Sequence, residues 1–142
     1  MIGTTMRRRL ALLVPLLFAA SACSDITGGG EMVAGLVIED AGGTPLVTVG
    51  ATGVTGTLSV NQGDERDLEV VLLSAAGVPV GLGLSQSIRV TVVNSQVAGW
   101  QDASGTSGTL IGRSRGNTTL RVDVISAGAV DYGSPSIPVR VN

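Results

Sequence analysis

The chain has 142 residues, 14% of them charged, with nine basic and eleven acidic side chains and a formal net charge of −2. Every basic residue is arginine, histidine and lysine are absent, and Cys23 is the sole cysteine. These absences remove a Ser-His-Asp triad, a Schiff-base lysine, an intramolecular disulfide and the usual zinc and copper ligand sets. A mildly acidic chain is also a poor match for nucleic acid or anionic headgroups, whose recognition needs clustered positive charge.

Arg7-Arg8-Arg9 precede an apolar run from Leu10 to Phe18, followed by small residues that end at Cys23. Basic, apolar and small-residue regions in that order read as a secretory signal peptide over residues 1–22. The run is too short for a spanning helix, which needs about 20 apolar residues. With the leader removed, six arginines face eleven carboxylates, a net charge of −5. Ala20-Ser21-Ala22 suits ordinary signal peptidase, whose pockets take small side chains. Ser21-Ala22-Cys23 also resembles the lipobox of bacterial lipoproteins, with Ala20 where that family most often has leucine. The resemblance implies a diacylglycerol on the Cys23 thiol, cleavage before it and an acylated amino terminus.

The rival reading of Cys23 is an incidental free thiol. A lone thiol on an exported chain is open to oxidation and mispairing, which favours the lipidated reading. Each buried methylene of an attached chain adds about 0.8 kcal/mol, so several acyl chains anchor firmly. By the same resemblance Ser24, which stands where inner-membrane lipoproteins often carry Asp, points to the outer membrane. Residues 23–32 then form a lipidated cysteine and a polar, glycine-rich flexible tether, and residues 33–142 one domain.

Within that domain short apolar runs alternate with turn residues. Val33–Glu39 and Pro45–Val49 flank a turn at Asp40–Thr44 and read as a β-hairpin. Gly50–Val54 reads as a further turn, Thr57–Val60 as a strand and Asn61–Asp67 as a charged turn. In Leu68–Ser74, Leu68, Val70 and Leu72 share one face while Val71 and Leu73 take the other. A bend at Ala75–Val80 and a loose stretch at Gly81–Ser87 lead to Ile88–Asn94, where Ile88, Val90 and Val92 oppose Arg89 and Thr91. Ser95–Gln101 is a short strand or irregular connection, and Asp102–Ser107 a polar loop. Thr109–Gly112 and Thr118–Ser126 frame a turn at Arg113–Asn117; Leu120, Val122 and Val124 face in, Arg121 and Asp123 out. Ile137–Val141 closes the set, with Pro138 suited to an edge or strand-entry position. Eight or nine short strands with turns every ten residues or so predict an all-β, antiparallel β-sandwich.

Ser95-Gln96-Val97-Ala98, Gly108-Thr109-Leu110-Ile111-Gly112 and Gly116-Asn117-Thr118-Thr119-Leu120-Arg121-Val122 resemble the bacterial immunoglobulin-like group 2 (Big2) domain. The likeness covers roughly Thr57 to Val141, implies an immunoglobulin-like sandwich, and lacks the family's usual aromatic near Val92 or Val93. Asp131–Val139 is similar to a segment of small uncharacterised lipoproteins of environmental bacteria.

Candidate chemistry is sparse. Asp64, Glu65, Asp67 and Glu69 cluster locally, whereas a glycosidase pair flanks a cleft, so a solvated turn is the better reading. Calcium wants six to eight oxygens and its D-x-D-x-D-G loop is missing; no metal or other cofactor is expected. Arg113 and Arg115 share a face if extended and are candidates for gripping a carboxylate or sulfated sugar, against a plain turn role with pairing to Asp123. Trp100 and Tyr132 are the large aromatics of the domain, and either one exposed would suit sugar stacking. In extended backbone Val97 and Gly99 share one face, Ala98 and Trp100 the other. Taking Val97 as the core residue tips Trp100 outward; the larger gain from burying an indole argues for a mostly buried Trp100. The expectation is a non-catalytic envelope protein, membrane-held through Cys23, acting in structure, adhesion or interaction with an envelope protein or glycan. Its rival is a carbohydrate- or peptide-binding module centred on Trp100.

Overall fold

The computed structural model describes residues 31–142; the expected signal peptide, Cys23 and most of the expected tether lie outside the described residues. Twelve strands follow along them: β1 (Gly35–Asp40), β2 (Pro45–Gly50), β3 (Gly53–Gly56), β4 (Leu58–Val60), β5 (Glu65–Leu73) and β6 (Pro79–Val80), then β7 (Gln86–Val92), β8 (Ala98–Ser104), β9 (Ser107–Gly112), β10 (Gly116–Ser126), β11 (Ala129–Gly133) and β12 (Ile137–Val141). One sheet runs β3-β2-β1-β5-β9-β8, with β6 also on β5; the other runs β11-β10-β12-β4, with β7 on β10.

Alternation in the sequence becomes two inner faces, because successive side chains point to opposite sides of a strand. Leu36, Ile38, Val47, Val49, Leu68, Val70, Leu72, Ala98 and Leu110 face in from the first sheet. Leu58, Val60, Leu120, Val122, Val124, Ile137, Val139 and Val141 meet them from the second. The result is an all-β sandwich with an aliphatic core.

β10, the longest strand, organises the second sheet. Its first half pairs with β12 and its last residues with β11, while β7 lies along Leu120–Ser126 on the other edge. Ser134 bridges the change from β11 to β12. Its N–H donates to Val122 O at 2.8 Å, its Oγ accepts the Val122 N–H at 3.0 Å, and the hydroxyl donates to Pro135 O at 2.8 Å. β7 and β8, edge strands of the two sheets, lie against each other.

Several segments differ from the sequence reading. β4 joins β12 in parallel, so the sandwich is not wholly antiparallel. The Gly50–Val54 turn is tighter than expected and delivers β3 back onto β2. Asp102–Ser107 is a β-hairpin, its polar residues tolerated because β8 is an edge strand. Glu65–Asp67 belongs to β5, paired with β9 rather than forming a turn. β11 was hidden because only Tyr132 among its residues faces the core.

Candidate functional site

The most highly organised polar group stands on the outer face of the second sheet. With Val122 and Val124 turned inward, Arg121 and Asp123 point outward from β10, and register sets Arg89 of β7 directly beside Asp123. Arg121 Nε donates to Asp123 Oδ1 at 2.7 Å, and Arg89 Nη2 to Oδ2 at 3.1 Å. The Asp123 side chain is 8% exposed, against 55% for Arg121 and 59% for Arg89. Burial alone pushes the Asp123 pKa up, but the hydrogen bonds from Arg121 and Arg89, with their charges, outweigh it and hold the carboxyl below its usual 3.8.

Gly133 lies opposite Asp123 on β11, and a methyl group there would overlap the Arg121 guanidinium. The glycine is what allows the planar head to lie flat across the strand. One carboxylate thus fixes two planar cations, each with N–H donors left over, on the outer face of three neighbouring strands.

Trp100 occupies a second seat, at the sandwich edge. It shares the inward face of β8 with Ala98, and Ala98, not Val97, is the fully buried residue of that pair. The indole is partly buried against the core, and a methyl group at Gly108 on β9 would overlap it. Its Nε1–H donates to Asp102 at 2.8 Å. The ring covers part of the core at the β8 edge of the first sheet. A sugar-stacking platform needs an open ring face, whereas this ring is turned to the inner side beside Leu110 and packs against the core.

The other candidates do not converge with it. Tyr132 sits in the second sheet opposite Val124, half-buried against the core, and lines a cavity of about 140 Å³ with Met32, Val33, Gln86 and Asp131. Burial raises its phenol pKa above 10.0. Arg113 leaves β9, lies over Gly99 and donates to Ser95 O at 2.8 Å, so it holds the 94–97 turn. Arg115 instead lines an open groove of about 540 Å³ with Asn117, Arg140 and Asn142. The two arginines neither share a ligand site nor pair with Asp123, because the chain turns between them and Asp123 is taken by Arg89 and Arg121.

Asp64, Glu65, Asp67 and Glu69 also separate. Asp64 accepts from Asn61 in the turn, while Glu65, Asp67 and Glu69 project outward along β5. Among the described residues no group of three or more carboxylates is placed to hold a metal ion. Arg89, Arg121 and Asp123 were legible as outward-facing residues; their meeting was not, since it depends on β7 pairing with β10.

No family model matches the chain, and no curated protein matches it. Among solved structures it is similar to the crystal structure of the S-layer protein SbsC domains 4 and 5, with 19% identity and a TM-score of 0.43. That match covers 61% of this chain and 47% of the other, less than half of its length.

Proposed function

We propose that this protein is a non-catalytic, lipid-anchored component of a bacterial envelope whose β-sandwich presents a macromolecular interaction surface. The observation that carries the interaction role is the Arg89–Asp123–Arg121 constellation, fixed on the outer face of a sheet with both guanidinium groups more than half exposed. Small-molecule sites are concave and mostly apolar, whereas preset charge on an exposed face steers and orients a large partner. The anchor rests on Arg7–Cys23, with the lone thiol at the cleavage position. The Big2 resemblance supports an immunoglobulin-like assignment: its three stretches lead into β8, form β9 and build β10. Outer-membrane placement rests on Ser24.

Growth of the native host with a radiolabelled fatty acid tests the anchor. Wild-type chain should carry label and partition with membranes, and Cys23→Ser should lose both. A wild-type chain with an unmodified Cys23 amino terminus would refute lipidation.

A further inference from the structure

The outer faces of the two sheets carry opposite charge. On the first sheet Glu65, Asp67 and Glu69 project from β5, and Glu39 of β1 stands directly opposite Glu69. Among the described residues none of these four is in an ion pair. Arg66 does not neutralise them: it shares the inward phase of Leu68 and donates to Ser59 O on β4 at 3.0 Å. Arg113, at the rim of that face, is committed over Gly99 and to Ser95.

The second sheet presents Arg89, Arg121 and Arg140 on its outer side, with Arg115 in the adjoining groove beside Arg140. Of its acids, Asp123 lies under two arginines, while Asp131 accepts from the neutral Gln86 amide at 3.2 Å and keeps its charge, so four arginines stand over two carboxylates there.

The two charge rows also match in length. Glu65 and Glu69 are four residues apart, about 13–14 Å along an extended strand. Arg140 stands beside Asn117, and Asn117 to Arg121 is again four residues, the same span of about 13–14 Å. Like charges placed directly opposite on neighbouring strands repel, which is the situation of Glu39 and Glu69. A row of arginines laid over them turns that repulsion into pairing.

We infer that this domain associates with further copies of itself, the arginine face of one copy resting on the carboxylate face of the next. Such a contact is head-to-tail, so each copy keeps one free face of each sign and the association propagates unless it closes into a ring. Confinement by an anchor at a surface raises the local concentration that a charge-driven contact needs. The inference deepens the interaction role proposed above but does not depend on the anchor, because it is measured on chain that lacks the thiol.

The test uses full-length Cys23→Ser chain in mild detergent, followed by sedimentation velocity over a concentration series. Low salt should give oligomers that grow with concentration, and about 0.5 M salt should return monomer, since exposed charges are then screened within a few ångströms. Glu65→Arg with Glu69→Arg leaves two acids against two arginines on the carboxylate face and so cancels its net charge; Arg115→Glu with Arg140→Glu makes the arginine face acidic, and neither pair touches the Asp123 cluster. Each double variant alone should associate about tenfold or more weakly, and an equimolar mixture should regain wild-type association. Wild-type chain that stays monomeric at low salt at every concentration overturns the proposal, whatever the variants do. So does a mixture no better than its components, or capture of polyglutamate on the arginine face without self-association.

Discussion

Trp100 and Arg121 are seated by the same local device in two different regions. Each lays a flat side chain across a glycine of the neighbouring strand, Gly108 or Gly133, and each hydrogen-bonds an aspartate two residues further on. Two residues on is the same face of a strand, so both aspartates are within reach by construction. At the β8–β9 edge the seat faces inward, the load is an apolar ring, and Asp102 remains exposed to water. In the middle of the second sheet the seat faces outward, the load is a cation, and Asp123 is nearly covered. A carboxylate left in water needs one donor or none; a covered one needs charged partners, which is why β7 brings Arg89 to Asp123. One seat serves as a lid on the core and the other as a device for fixing surface charge.

The sharpest way to break this comparison is to empty the edge seat. Trp100→Ala should cost about 2–4 kcal/mol by denaturant unfolding, below the cost of a fully enclosed indole. Gly108→Ala should destabilise strongly in wild type, by displacing the ring, and act almost neutrally in the Trp100→Ala background. Additive effects of the two changes would show that the indole does not rest on Gly108. Wild-type emission should be blue-shifted and poorly quenched by soluble agents.

Removing the carboxylate from the central seat should have a smaller effect. Asp123→Asn should cost about 1–2 kcal/mol, because it ends charge-assisted bonds to arginines that are themselves more than half exposed. The folded pKa of Asp123 lies below the unfolded value, about 3.9, so its contribution is present above that pH and lost as pH falls through the lower folded value. Thermal melts should therefore show stability dropping below about pH 4, less steeply in Asp123→Asn. Asp40 supplies a residual slope, since the Thr44 and Gly42 N–H groups lower its pKa as well. An unchanged pH profile in the variant would remove Asp123 from the account.

The smallest effect belongs to the turn that carries Gly133. Ala127 (φ 50) and Gly128 (φ 83) are the two residues linking β10 to β11, the left-handed pair of a type I′ hairpin turn. Ala127→Gly should stabilise by about 0.5–1 kcal/mol by relieving the Cβ there, and leave Trp100 emission unchanged. A loss of stability would mean that the turn is held by something other than its backbone.

Much of the candidate surface was visible in the chain as parity. Ile88, Val90 and Val92 against Arg89 and Thr91 fixed which side of β7 each residue takes, and the same rule turned Arg121 and Asp123 outward. Parity failed where apolar residues were scarce: β11 offers the core only Tyr132, and β8 runs into the exposed Gln101–Ser104. Near Trp100 it placed Ala98 and the indole on one face, yet it did not say which of Val97 and Ala98 was buried.

By itself the sequence determined a β-rich domain with short alternating strands and a chemistry without histidine, lysine or cysteine in residues 24–142, and it carries the Arg7–Cys23 stretch on which the proposed export and anchoring rest. These are local properties: period-two burial, turn residues and residue inventory require no knowledge of which strand neighbours which. Only the tertiary structure decided that β7 lies beside β10, that β4 joins β12 in parallel, and that Glu39 faces Glu69. Strand order and register depend on pairing between segments far apart in the chain. Many pairings of short aliphatic strands satisfy the same alternation, and the packing of the two inner faces as a whole selects among them.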